Sequence, residues 1–185
     1  MAAPFGRSTF RVIGALIVLG VVLLAPVPWP DPIATTRIVT RIDIAAPPPV
    51  VFAYATTPAN WPAWHPASRA VSGVVDHTPL QGERVIEEIE VAGRRFQTTW
   101  TSLGGDPPRR WEFAGHAAGG GRARIVYTLA PVGAGTRFER DLTYSGPNLF
   151  FALLNAVWIR GVMETDSAEA MTRLQRGAEK RAAAL

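Results

Sequence analysis

Five segments in which polar and apolar residues alternate, joined by very short connections, restrict the fold of this chain more than any other feature. The segments cover residues 84–91, 94–103, 110–116, 122–130 and 136–144. Between them lie the turn sequences Ala92-Gly93, Gly104-Gly105-Asp106, Gly119-Gly120-Gly121 and Gly133-Ala134-Gly135. Alternation with a period of two is typical of half-buried strands, and such short connections join strands that pair antiparallel. The sequence therefore predicts an antiparallel sheet.

The region before these segments predicts two more strands and a short helix. Residues 36–44 alternate, and one face of this strand carries Ile38, Thr40, Ile42 and Ile44. The strand ends at Pro47-Pro48-Pro49. Because proline suits the first turn of a helix, residues 50–56 are predicted to form a short helix. Residues 70–75 are predicted to form a further strand.

The C-terminal region changes to helical spacing. Apolar residues recur there at Phe150, Leu153, Leu154, Val157, Gly161, Ala168 and Met171. This pattern predicts one long helix, weakened or kinked near Gly161. Its apolar stripe thins between Gly161 and Ala168, which predicts a space between the helix and the sheet. The substitution Gly161→Leu is expected to fill that space.

A long uncharged segment near the N-terminus predicts a membrane anchor. Residues 12–29 are 18 consecutive residues without a charge, and they follow Arg7 and Arg11. A helix of that length nearly crosses the hydrocarbon core of a bilayer. A cleaved signal peptide is the alternative, but cleavage requires small residues before the cut, and the only near match, Ala25-Pro26-Val27, lies among prolines. The sequence therefore favours an uncleaved anchor.

The flanking residues predict how the chain is arranged around this anchor. Residues 1–11 form a short basic tail, residues 30–35 a proline-rich linker, and residues 36–182 a single domain. The basic tail favours a cytoplasmic N-terminus, although Arg37 and Arg41 follow the span. We therefore expect a single-pass protein of the cell membrane whose domain lies on the extracytoplasmic side.

The composition argues against several classes of function. The chain has no cysteine, which excludes disulfides and thiol chemistry. Its formal net charge of +4 comes from scattered arginines rather than a basic run, so nucleic-acid binding is not expected. The three histidines, His65, His77 and His116, do not have the spacing of a metal site. We expect neither a metal nor a cofactor.

Several sequence motifs occur in the order found in a known superfamily. They are IAAPPPVVFAYATTPANWPAWHP at 44–66, Leu80-Gln81-Gly82-Glu83-Arg84, Asp106-Pro107-Pro108-Arg109-Arg110 and Gly135-Thr136-Arg137-Phe138-Glu139-Arg140. With the long C-terminal helix, they resemble the START-like superfamily called SRPBCC, and within it the polyketide cyclase/dehydrase branch. The resemblance covers residues 36–182. It implies an α+β helix-grip fold, in which a curved antiparallel sheet of about six or seven strands wraps around the C-terminal helix, with two short helices after the first strand.

The same resemblance implies an apolar cavity between sheet and helix for a lipid, sterol, polyketide or similar molecule. Without it, the inward-facing aromatic residues fit a filled core better than a cavity. The residues expected to line such a cavity are Trp64, Phe96, Trp100, Trp111, Phe113, Phe138, Tyr144, Val157 and Gly161.

The segment NWPAWHP at 60–66 is expected to serve first as a brace. Trp61 and Trp64 are three residues apart and share one face of a helical turn. In the family, a second short helix at this place caps one end of the cavity. We therefore expect the two indoles to wedge the cap against the sheet. His65 is expected to face solvent or to cap a carbonyl.

Polar residues on otherwise apolar strand faces are the candidates for chemistry. Glu87 has the same phase as Val85 and Ile89, and Arg140 has the same phase as Phe138 and Leu142. If both point inward, they could pair with each other or grip a carboxylate or enolate of a ligand. They could also be rim residues or a structural ion pair. Tyr144 could add a hydroxyl donor.

Two functions from different classes remain open at this point. The first is a membrane-anchored binding protein that holds a hydrophobic small molecule or lipid. The second is an enzyme resembling a polyketide cyclase or dehydratase, which would require Glu87 to act as a base. In either case we expect a monomer.

Overall fold

The computed structural model describes residues 7–24, 27 and 34–185 of the chain. In chain order the helices and strands are α1 (Arg7–Leu24), β1 (Thr35–Ile44), α2 (Pro48–Thr56), α3 (Trp61–Trp64), β2 (Ser68–Gly73), β3 (Arg84–Val91), β4 (Arg94–Asp106), β5 (Arg110–Ala117), β6 (Arg122–Val132), β7 (Gly135–Ser145), α4 (Leu149–Leu154) and α5 (Arg160–Ala182). A 3-10 turn at Pro58–Asn60 precedes α3, and a π-helical segment at Asn155–Ile159 joins α4 to α5.

The seven strands form one curved antiparallel sheet in the order β1-β7-β6-β5-β4-β3-β2. Hairpins connect neighbouring strands from β2 to β7, and β1 pairs with β7 along its whole length. The registers of β2 and β4 shift at Ser68/Ala70 and Ser102/Gly104. Such bulges bend a strand and increase its twist. The predicted α+β architecture, with its antiparallel sheet, two short helices after the first strand and long C-terminal helix, is confirmed.

The C-terminal half of α5 packs tightly on the sheet and on the two short helices. It contacts β1, α2 and α3. Its buried residues are Ser167, Ala170, Met171, Leu174 and Ala178. At Gly177 the helix approaches α2 so closely that a Cβ atom would lie 2.3 Å from the hydroxyl oxygen of Tyr54. The core of the protein therefore lies at this end of the concave face.

The C-terminal helical region consists of α4, the π-helical segment and α5. Its N-terminal half packs much more loosely on the sheet than its C-terminal half. None of the residues of α4 is buried, and the π-helical segment buries only Asn155. The Tyr144 hydroxyl donates a hydrogen bond to Asn155 Oδ1 at 2.7 Å. Asn155 Nδ2 in turn donates to Thr36 Oγ1 at 2.8 Å. These two consecutive hydrogen bonds connect the π-helical segment to β7 and β1.

The π-helical segment overturns one expectation about the helix. The predicted irregularity near Gly161 is present at Asn155–Ile159, just before that residue. The extra residue of a π turn rotates all later residues of the helix about its axis. The sequence pattern assumes 3.6 residues per turn throughout and therefore assigns these residues to the wrong face. Val157 is consequently 81% exposed, and Gly161 lies on the outer surface with no atom within 4 Å of an added Cβ. The prediction that these two residues line the cavity is wrong.

The predicted anchor, 12–29, falls only partly on described residues. The helix α1 ends at Leu24, while residues 25, 26 and 28–30 lie outside the described part of the chain, as do residues 31–33 of the predicted linker. Within residues 7–24 and 34–185, no helix has both the length and the apolar character needed to cross a membrane. The strand β1 begins at Thr35, at the end of the predicted linker.

The helix α3 wedges two indoles against the sheet. Trp61 packs edge-on against Phe113, with ring centroids 5.5 Å apart, and its Nε1–H donates to the carbonyl oxygen of Ala55 at 3.1 Å. Trp64 is 1% exposed and packs edge-on against Tyr127 at 6.3 Å. Both indoles thus contact the concave face of the sheet through aromatic rings of β5 and β6.

Removal of the Trp64 indole is expected to destabilise the fold. Trp64→Ala should lower the free energy of unfolding by about 3–5 kcal/mol, because it empties a fully enclosed site. Denaturant unfolding of residues 34–185 measures this loss. Trp158→Ala is the matched control, since Trp158 is about half exposed and should cost much less. A Trp64→Ala protein that unfolds like the parent yet no longer binds ligand would make this residue a ligand contact rather than a brace.

Candidate functional site

A cavity of about 450 Å³ lies between the concave face of the sheet and the helical region. Its volume falls in the range of small-molecule sites, roughly 300–1,000 Å³. Apolar side chains form its middle, and these are Ile89, Phe96, Trp100, Phe113, Ile125, Leu142 and Met163. The cavity exists because the N-terminal half of the helical region stands away from the sheet here.

Small residues on the sheet also create space. Ala117 and Ala123 line the cavity on β5 and β6. Gly115 lies directly opposite Ala123 in the sheet. A Cβ atom on Gly115 would approach Trp100 Cζ3 to 2.5 Å, so only glycine allows this indole to lie flat on β5. The position of Trp100 therefore depends on a residue with no side chain.

One end of the cavity, which we call the mouth, opens to solvent. It is formed by the turns around residues 91–94 and 117–122, by residues 145–148, and by Phe150 and Trp158. Phe150 and Trp158 are each about half exposed. The exposed residues Arg94 and Arg122 lie at the same end. The mouth thus combines apolar and positively charged side chains.

The opposite end, the deep end, is polar and is formed by Trp64, His65, Glu87, Arg140 and Ser167. Glu87 is 6% exposed, and Trp100 Nε1–H donates to its Oε2 at 2.7 Å. Burial raises the pKa of Glu87, while the hydrogen bond from Trp100, the nearby Ser68 hydroxyl and the charge of Arg140 partly oppose that rise. Part of the Glu87 population is therefore held in the neutral form at a higher pH than for an exposed glutamate.

Arg140 is 3% exposed and uses two neutral groups as partners. Its Nη1 donates to Ser167 Oγ and its Nη2 to His65 Nε2, both at 3.2 Å. On the sheet it lies between Thr40 of β1 and Tyr127 of β6. Burial raises the pKa of Tyr127 to about 12, although the charge of Arg140 opposes the rise. Tyr127 therefore stays protonated.

His65 does not face solvent as expected, because its ring turns towards Arg140. Burial lowers the pKa of His65 well below its usual value, and the charges of Arg140 and Arg173 add to this effect. The imidazole is therefore neutral near pH 7. Since an arginine can only donate, Nε2 is the acceptor and the ring proton resides on Nδ1.

The predicted site residues separate into three groups. Trp64, Phe96, Trp100, Phe113 and Tyr144 line the cavity, as do Glu87 and Arg140. The Tyr144 hydroxyl is already engaged with Asn155. Val157 and Gly161 form the second group, which lies on the outer surface of the helical region.

Trp111 and Phe138 form the third group, because they belong to the packed core rather than to the cavity wall. Trp111 packs edge-on against Phe52 of α2 at 5.7 Å, and Phe138 packs against Tyr127 at 5.3 Å. The expectation that they line the cavity is wrong, since α2 covers this part of the sheet.

The sequence analysis missed several residues of the cavity wall, among them Tyr127 and Ser167 at its polar end. Tyr127 alternates with Ile125 and Leu129 on β6, and the period-two pattern would have placed it on the inner face. Ser167 carries no comparable signal, because its inward position depends on the phase change at Asn155–Ile159.

Comparison with known proteins agrees with this architecture. Residues 35–179 match the model of the family described as polyketide cyclase / dehydrase and lipid transport. The chain belongs to this family. No match was found among the curated proteins.

Solved structures share the family's fold. Protein TTHA0849 from Thermus thermophilus has a TM-score of 0.66 and 19% identity, with coverage of 80% of this chain and 98% of that chain. A protein from Rhodobacter sphaeroides has a TM-score of 0.57 and 25% identity, with coverage of 81% and 93%. A conserved protein from Geobacillus kaustophilus has a TM-score of 0.62 and 12% identity, with coverage of 78% and 96%.

The buried carboxyl group of this family member yields a prediction about pH and stability. With its pKa raised in the folded state, Glu87 favours folding at low pH, and this contribution is lost as the pH rises through the folded-state pKa. Glu87→Gln keeps an acceptor for Trp100, so it should unfold at a higher temperature than the parent at neutral pH. The difference should shrink towards pH 4 and disappear below it, where the parent carboxyl becomes protonated in both states.

Thermal unfolding across this pH range measures the effect. Glu88→Gln, on the next residue of β3, is the matched control and should show no gain. A parent more stable than Glu87→Gln at neutral pH would contradict the prediction and indicate that the Glu87 charge is fully compensated.

Proposed function

We propose that this protein binds a hydrophobic small molecule or lipid in the cavity between the sheet and the C-terminal helical region. The observation that carries the proposal is the cavity of about 450 Å³, apolar in its middle and open at the mouth. A cavity lined by such side chains tends to exclude water and to accept apolar molecules. The description of the family, which includes lipid transport, supports the same function.

We further propose that residues 12–29 anchor the protein in the cell membrane with the domain on the extracytoplasmic side. The support is the uncharged sequence of this segment together with the exposure of apolar side chains on α1, such as Val12, Leu16 and Ile17. Near the mouth, Phe150 and Leu153 are also exposed. A lipophilic ligand concentrates in a bilayer, so a tether would hold the mouth close to its source.

An enzymatic function is the second candidate, and Glu87 is the observation that favours it. Its carboxyl group lies at the deep end of an apolar cavity and has a raised pKa. A carboxylate in such surroundings is a stronger base than one in water, which suits proton abstraction in a cyclase- or dehydratase-like reaction. Mass spectrometry of the molecule extracted from the parent and from Glu87→Gln separates the two functions. The same molecule in both favours binding, whereas a different molecule in Glu87→Gln favours catalysis.

Filling the cavity is expected to abolish binding of an apolar probe. Ala123→Phe places a ring in the space beside Trp100 and should weaken the affinity for N-phenyl-1-naphthylamine at least about tenfold, since the lost apolar contact is worth more than about 1.4 kcal/mol. Gly161→Leu is the matched control, because its side chain points away from the cavity and meets no atom. Fluorescence titration measures both. Equal binding by parent and Ala123→Phe, or no binding by the parent, would contradict the proposed function.

Carbonate extraction of membranes tests the anchor. The full chain should remain in the membrane fraction, and a variant lacking residues 12–29 should not. A reporter fused to the C-terminus tests the orientation and should be active only outside the cytoplasm. A processed soluble product that begins near residue 30 would contradict the anchor, and a cytoplasmic reporter signal would contradict the orientation alone.

A further inference from the structure

We infer that the ligand carries a carboxylate, which Arg140 binds at the deep end of the cavity while the apolar body of the ligand extends towards the mouth. This inference rests on the proposed binding function and names the chemical class of its ligand. The class is a monocarboxylic acid with a long or bulky apolar part.

The positive charge of Arg140 at the deep end has no direct counter-ion among the described residues. Arg140 is almost completely buried, and its two hydrogen-bond partners, Ser167 and His65, are neutral. No carboxylate forms an ion pair with it in the part of the chain that the structure describes. Burying a charge without a counter-ion is costly. A ligand anion would supply the missing counter-charge.

Arginines on the outer face of the same strands behave differently. Arg37 of β1 binds Asp141 through two hydrogen bonds of 2.9 and 2.7 Å. Arg137 of β7 binds Asp43 in the same way, at 2.8 and 2.9 Å. These two exposed arginines thus have carboxylate partners although water can solvate their charges. The buried Arg140 has no carboxylate partner among the described residues.

The two carboxyl groups that share the cavity form no direct ion pair with Arg140 among the described residues, although its charge acts on Glu87 over a distance. Glu87 accepts the N–H of Trp100, and three strands separate β3 from β7 in the sheet. Burial and the charge of Glu169 raise the pKa of Asp166, and the arginine charges that oppose this rise are those of Arg69 and Arg173 rather than that of Arg140. Neither replaces a direct partner for the Arg140 guanidinium.

The deep end also contains hydrogen-bond donors that the described residues leave unused. Within residues 34–185, three buried N–H groups of the deep end have no hydrogen-bond partner: Arg140 Nε, His65 Nδ1 and Trp64 Nε1. The rings of Trp64 and His65 lie 5.6 Å apart, and His65 contacts Arg140. A buried donor without an acceptor costs about 1–3 kcal/mol. A carboxylate only accepts and has room for about four hydrogen bonds, so it complements these three donors.

The direction of the ligand follows from the local dielectric constant. At the mouth, Arg94 and Arg122 are exposed, and water weakens an ion pair there. At the deep end the same charge acts in a low-dielectric environment, where the attraction is much stronger. The apolar wall between the two ends, which includes Phe113 and Leu142, then contacts the body of the ligand.

A pair of ligands that differ only in the headgroup tests the inference. Decanoate and 1-decanol are used to displace N-phenyl-1-naphthylamine from the parent, Arg140→Gln and Arg122→Gln at neutral pH. The parent should prefer decanoate by about tenfold to a hundredfold, the range that a charge-assisted hydrogen bond supplies. Arg140→Gln should lose that preference and still bind 1-decanol. Arg122→Gln, at the mouth, should retain it.

The outcomes distinguish failure of the inference from failure of the proposed function. Equal affinity of the parent for decanoate and 1-decanol overturns the inference and leaves the binding function intact. Loss of the preference in Arg122→Gln places the carboxylate at the mouth and also overturns it. If Arg140→Gln does not fold, the parent and Arg122→Gln decide between these results. A parent that binds neither ligand nor probe overturns the binding function itself.

Discussion

The uneven packing of the C-terminal helical region on the concave face of the sheet determines the rest of the structure. The residues of α5 from Ser167 to Ala178 pack into a tight core with α2 and α3. The preceding segment, from α4 through Asn155–Ile159, buries a single residue. One end of the concave face is therefore filled by side chains, whereas the other end is left as a cavity. The indoles of Trp61 and Trp64 mark the boundary between them.

The position of the polar groups relative to this boundary explains why the deep end is so unusual. Glu87 and Arg140 project from opposite parts of a curved sheet into a space that α3 closes to solvent. Water cannot solvate them as it would at the mouth, so their hydrogen bonds and charges must be satisfied by protein or by ligand. Trp100 satisfies Glu87, but only because Gly115 leaves room for the indole.

Local patterns in the sequence were sufficient for the sheet and for the inward orientation of Glu87 and Arg140, because strand alternation fixes which face a side chain occupies. They were insufficient for Val157 and Gly161, since the π-helical segment changes the helical phase at a point that no propensity marks. They also failed for Trp111 and Phe138, which have the right phase but lie under α2. Whether an inward residue meets a ligand or another side chain is decided by tertiary packing.

The uneven packing of the C-terminal helical region also affects how a ligand enters the cavity. A segment with few buried apolar contacts opens at a lower free-energy cost than the core, and α4 has no buried residue. The hydrogen bonds from Tyr144 to Asn155 and from Asn155 to Thr36 are the main polar restraint on this segment. Each contributes only about 1 kcal/mol, far less than the packing of α5 around Leu174. We therefore expect movement of α4 and the π-helical segment to be the least costly way to widen the mouth, because the deep end is held by the tighter packing of α5.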